Sequence, residues 1–137
     1  MTENEIGKAI VDAALAVHRE GPGLFESVYE VALAYELEQR GLSVKRQLPI
    51  SIHYKRMRFD DAFRADLVIH DKVIVELKSV EQVSQAHKKQ LSTYLRLTGC
   101  NLGFLLNFGE ALMKRGITRT ANGIEEFSMN GKRPSIW

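Results

Sequence analysis

Residues 64–80, RADLVIHDKVIVELKSV, hold two apolar runs split by only three polar residues. Val68 and Ile69 close the first run; Val73, Ile74, Val75 and Leu77 make the second. Runs this short, rich in β-branched residues and divided by a turn sequence, fold as paired strands. With His70-Asp71-Lys72 as the loop, Ile69 pairs with Val73 and Asp66 falls opposite Glu76. Side chains alternate along a strand, so Glu76 and Lys78 point the same way. The hairpin thus brings two carboxylates to about 5 Å at their Cβ atoms, with a lysine one pleat away.

Charge in such a background is costly unless it is paired or neutralised. Two bare carboxylates repel, and a cation between them removes the cost. By the same reasoning, deleting either acid is expected to leave metal-free stability equal or higher. A hard divalent ion, Mg2+ with Mn2+ as a substitute, suits carboxylate oxygens and water. Beside it Lys78 can orient or deprotonate an attacking water, or offset charge on a phosphate. The competing reading is an Asp66–Lys78 ion pair with Glu76 at a solvated sheet end.

The rest of the chain supplies elements to frame this hairpin. Ile6, Ile10, Ala13 and Val17 form a helical stripe from residue 3 to about 20, stopped by EGPG at Glu20 to Gly23. A second helix is expected from about Phe25 to Arg40, ending at Gly41. Val44, Leu48, Ile50, Ile52 and Tyr54 alternate as a half-buried strand, in which Pro49 signals an edge or a bulge. Strands near 63–70 and 73–79 follow, then a helix from about Ser84 to Thr98. LGFLLNF (Leu102 to Phe108) and GITRT read as two more strands, and residues 130–137 as a loosely held tail. The order ααβββαββ implies an α/β domain with a mixed sheet flanked by helices.

Length and composition limit the alternatives. A chain of 137 residues, 45% apolar and 26% charged, suits one globular domain, residues 1–137. A net charge of +2 does not by itself point to a polyanion. One cysteine, Cys100, excludes an internal disulfide framework and fits a reducing cytoplasm; with four histidines it offers no zinc-type spacing. MTENEIGK does not read as a signal sequence, and no apolar run is long enough for a membrane span.

Other polar residues can join the hairpin site. Glu26 shares a helical stripe with Tyr29, Glu30, Leu33 and Leu37, and its place in the first turn also suits ordinary capping. His18, eight residues earlier, lies beyond the apolar stripe and is kept as a further candidate ligand. Gln90 and Tyr94 are four apart on one helix face, with polar tips able to hold a phosphate or a water. Lys88 and Lys89, one turn earlier, can contact a nucleic-acid backbone, although such faces are usually only solvated.

GLFESVY (Gly23 to Tyr29) fits the pattern G-x-x-E-x-x-Y. Followed by Asp66, ELK (Glu76 to Lys78), QLSTYLRLTG and GFLLNF, it resembles the GxxExxY family, a branch of the PD-(D/E)XK nuclease-like superfamily. The resemblance runs from about Ile6 to Thr118, with RAD standing where many members have PD. It implies a PD-(D/E)XK core in which Asp66 and Glu76 bind metal and Lys78 is catalytic. It also implies Glu26 as a second-metal or water-mediated ligand, and Gln90 and Tyr94 as positioning residues of a Q-x-x-x-Y helix. The function expected is Mg2+-dependent hydrolysis of DNA, with RNA second. The alternative is a catalytically silent module that binds nucleic acid or a protein. With one site per chain, concerted cutting of two strands would require a homodimer.

Overall fold

The computed structural model describes residues 1–122, so the tail expected at 130–137 lies outside the described residues. The elements are α1 (Glu3–Glu20), α2 (Glu26–Gln39), β1 (Val44–Tyr54), β2 (Met57–Ile69), β3 (Val73–Lys78), α3 (Gln85–Thr98), β4 (Leu102–Asn107) and β5 (Ile117–Ala121). A 3-10 turn, Met113–Gly116, leads into β5. This is the ααβββαββ order that the sequence implies.

Local chemistry sets the helix ends. The Thr2 hydroxyl accepts the Glu5 N–H at 3.1 Å, and the Glu5 carboxylate accepts the Thr2 N–H at 2.9 Å. This reciprocal cap satisfies donors that the first turn cannot pair. Ser84 and His87 form the equivalent box at the start of α3. That helix packs closely on β4 because Gly103 has no side chain. A Cβ there would lie 3.0 Å from methyl groups of Leu91 and Leu95.

Among the described residues the strands form one sheet in the order β1-β2-β3-β4-β5. β1, β2 and β3 are a meander, α3 crosses over to make β3 and β4 parallel, and β5 returns antiparallel. α1 and α2 cover one face, packing Ile6, Ile10, Leu33 and Leu37 with Leu67, Val75, Leu77 and Phe104. α3 covers the other with Leu91 and Leu95 against Val68, Ile74 and Leu105. Strand β3 is thereby buried on both faces, as a strand in a parallel pair usually is.

The central hairpin has the expected register. Ile69 pairs with Val73, Val68 with Ile74 and Leu67 with Val75. His70 (φ 51°) and Asp71 (φ 56°) are left-handed, and the Lys72 N–H donates to the Ile69 carbonyl at 2.9 Å. This backbone matches the primed turns favoured in hairpins.

The strand expected near 63–70 begins earlier, at Met57. MRFDDA shows no regular alternation, but β1 supplies a partner across the two-residue turn Lys55-Arg56. Pairing the backbone outweighs the weak strand preference of Asp60 and Asp61. The register shifts between Ile50 and Ile52, next to Pro49 on the edge strand β1, and Asp61 adopts φ 53°.

Candidate active site

The strand β2 leaves β3 at Asp66. Beyond Leu67↔Val75 the ladder gives way, and the Leu77 N–H donates to Asp66 Oδ2 at 2.8 Å. On the other side of Asp66 lies Gln47, between the pairs Arg46↔Leu67 and Leu48↔Ala65. Its φ of 50° is unusual for a non-glycine residue inside a strand. The Gln47 amide donates to Glu30 Oε1 at 2.5 Å and to Asp66 Oδ1 at 3.3 Å. Glu30, only 7% exposed on α2, also takes the Arg46 guanidinium at 3.0 Å. The strands change sides at this point. Val44, Leu67 and Ile69 pack with α1 and α2, whereas Leu48, Ile50, Phe63 and Ala65 pack with α3.

Glu76 carries the strongest electrostatic signal. Burial, followed by the charge and hydrogen bonding of Asp66, pushes its carboxyl up to about 9, while Lys78 pulls the other way. Its Oε1 is buried with no hydrogen-bond partner. Glu26, exposed at the first position of α2, is also raised: burial comes first, then the charge of Asp66, with Lys78 and His87 opposing. These mutual influences gather Glu26, Asp66, Glu76, Lys78 and His87 at the sheet end where α2 and α3 begin.

Tyr94 closes the group from α3. Its hydroxyl is raised by burial and then by Glu76, and Gln90 hydrogen-bonds to it. Its ring stacks on Phe63 with centroids 3.5 Å apart and planes 4° from parallel. Three further candidates are Lys88, Lys89 and His18. Lys88 lines a small polar cleft with Asn107, Glu110 and Arg115, and Lys89 is exposed. His18 is held at the loop after β4, with Nε2 3.0 Å from the Glu110 carbonyl and its ring near Phe108.

The G-x-x-E-x-x-Y residues divide their work. Gly23 turns the chain at φ 78°, where a side chain would be strained. The Tyr29 hydroxyl donates to the Gly21 carbonyl at 2.7 Å and accepts the Leu24 N–H at 2.9 Å. Its ring stacks on Phe108 at 4.3 Å. Tyr29 therefore fastens the α1–α2 loop and fixes where α2, and with it Glu26, begins. Asn107, at the end of β4, does the same for the loop after β3. Its amide donates to the Val80 carbonyl at 2.9 Å, and its Oδ1 accepts the Val80 and Gly109 N–H groups at 3.0 and 3.1 Å.

Sequence reasoning missed Gln47, Glu30, His87 and Asn107 as parts of this frame. An acid on the core stripe of α2 was a readable signal for Glu30, as was an amide within an apolar run for Asn107. Nothing in the residue type announces Gln47.

The donor set fits a divalent cation. Two carboxyls are held together at a cost, one oxygen is buried without a partner, and a positive ion between them would remove both penalties. Among the described residues no three His, Cys, Asp or Glu side chains converge tightly enough to cage an ion. Mg2+ requires no such cage, because it commonly keeps several waters and takes one or two carboxylates with substrate phosphate. Among the described residues no helix is long and apolar enough to cross a membrane.

Comparison with known proteins gives one result. The model of a family described as the PD-(D/E)XK nuclease superfamily matches residues 4–120. Neither the curated proteins nor the solved structures give a match.

Proposed function

Given that the chain belongs to the PD-(D/E)XK nuclease superfamily, we propose that it is a Mg2+-dependent nuclease of the GxxExxY branch. Its substrate would be DNA, with RNA second, and Mn2+ would substitute for Mg2+. The observation that carries this reading is the buried, partnerless Oε1 of Glu76 beside Asp66. Asp66 and Glu76 would hold the ion, which when bound would polarise the scissile phosphate and acidify the attacking water. Lys78, one pleat beyond Glu76, would carry a proton at Nζ or offset charge on the phosphate. Glu26, at the mouth of the site, would hold a water or a second ion. Gln90 and Tyr94 would position the substrate from α3, and the single domain would cut both strands only as a homodimer.

The test is degradation of linear, circular, single-stranded and duplex DNA and RNA, with Mg2+, Mn2+ or chelator. Metal-dependent cutting is expected, lost in Glu76→Gln and reduced about a hundredfold to ten-thousandfold in Lys78→Ala. Binding without cutting on every substrate would leave a silent nucleic-acid module. Cutting that survives both substitutions would overturn the site.

A further inference from the structure

The β1–β2 ribbon carries side chains that the catalytic group does not use. Residues 53–62 are all exposed. Ile52 stands opposite Phe59 and Tyr54 opposite Met57, whereas His53 stands opposite Arg58. Directly paired residues share a face, so one face is apolar and the other polar, carrying His53, Arg58 and Asp60. On the apolar face Tyr54 is 60%, Met57 57% and Phe59 44% exposed. That face is continuous with the active site. Ile50 and Ile52 pack with Phe63, and Phe63 stacks on Tyr94, whose hydroxyl lies within the influence of Glu76. Lys55 and Arg56 form the turn at the tip, and the Lys55 ammonium stands 5.5 Å from the Tyr54 ring centre.

A purely structural reading makes the cations a guard against edge-to-edge pairing. It explains the charge but not two exposed aromatic rings on a surface that leads to the carboxylates. We propose that the ribbon is a substrate arm that takes an unpaired nucleic-acid strand, with bases stacked on Tyr54 and Phe59. Lys55, Arg56 and Arg58 complement its phosphates, Arg58 exchanging its contact with Asp60 at 2.7 Å. The proposal rests on the nuclease reading and names the form of its substrate. Unpaired bases offer the flat faces that aromatic side chains bind, whereas a duplex keeps those faces stacked inside. A second copy of the chain fits less well, because two-fold pairing of the tips would oppose Lys55, Arg56 and Arg58 to themselves.

The test uses the full chain in chelator, where binding is read without cutting. A labelled 20-nucleotide single strand and the duplex of the same sequence are titrated by fluorescence anisotropy. Single-strand binding is expected to weaken about 5- to 150-fold in Tyr54→Ala and Phe59→Ala, the loss of one stacked base. Tyr54→Phe, which keeps a ring, should bind as wild type, and duplex binding should be weak throughout. Lys55→Ala with Arg56→Ala should lower the salt slope of log K by about 1.4, roughly 0.7 per cation. Equal binding of strand and duplex, or wild-type binding by natively melting Tyr54→Ala and Phe59→Ala, would overturn the proposal. A dimer that Phe59→Ala dissociates without changing strand binding would assign the ribbon to a second copy and also overturn it. Cutting assays separate the two readings. A chain that holds single strands through the arm but cuts nothing refutes the nuclease alone, and unimpaired binding and cutting by the arm variants refutes the arm alone.

Discussion

Glu76 ties the candidate chemistry to stability through its proton. Its carboxyl titrates near 4.5 in an unconstrained chain and is pushed up to about 9 here. Between those values the folded state holds a proton that the unfolded state has released. Stability from this group is therefore fully present below about 4.5 and is lost as pH rises toward 9. In chelator the slope should reach up to about 1.4 kcal/mol per pH unit, measured by urea unfolding, and Glu76→Gln should flatten it. Asp66 behaves differently from what repulsion alone implies. It accepts the Leu77 N–H and the Gln47 amide, so Asp66→Ala leaves a part-buried donor without its acceptor. That should cost about 1–3 kcal/mol in metal-free urea unfolding, whereas Glu76→Gln should match wild type below about pH 4.5 and exceed its stability above it. Tyr94→Phe keeps the stack on Phe63 and removes one hydroxyl. Cleavage should slow while stability changes by no more than about 0.5–1.5 kcal/mol. Unchanged cleavage would make Tyr94 a core residue.

At the scale of elements, β1 and α2 brace the site from outside it. Gln47 holds a left-handed backbone that costs a non-glycine residue about 1–2 kcal/mol. Gln47→Gly relieves that strain as it removes the amide, so its melting should stay close to wild type. Its cleavage rate should fall because Asp66 loses a brace. A rate that survives with the melting curve would limit Gln47 to shaping the strand. The loop before α2 offers a companion case. Tyr29→Phe removes the acceptor of the Leu24 N–H and the donor to Gly21, and calorimetry should show about 1–3 kcal/mol of lost stability. The hairpin around His70-Asp71-Lys72 was legible because apolar runs and a turn agreed on one register. Residues 57–62 were not, since their strand comes from pairing with β1 rather than from their own pattern. The alternation of Val44 and Leu48 looked continuous, yet the two pack on opposite layers. Only the turn-over at Gln47 separates them, and no composition rule predicts φ 50° at a glutamine.

Across the whole molecule, the layer order was readable from periodicity, and the acids and lysine from their intrusion into apolar strands. What periodicity could not show was which side chains meet at the sheet end. Lys88 shares α3 with Gln90 and Tyr94 yet lines a cleft with Glu110, and His18, on α1, meets the Glu110 carbonyl. Tertiary packing, set by where Tyr29 and Asn107 fasten their loops, decides that sorting. The same packing has a consequence for how the protein comes into being. Gly7 fits beneath Phe104, and Asn101 donates to Glu3 across 98 residues of sequence. During synthesis α1 can pack on α2 once both have emerged, but its seat on Leu102 and Phe104 stays open until β4 follows. A nascent chain halted at Thr98 should bind a hydrophobic dye and engage chaperones. It would already contain Glu26, Asp66, Glu76 and Lys78, but no parallel partner for β3. Translation itself would thus delay the docking of β3, and with it the acidic pair, until β4 has been made.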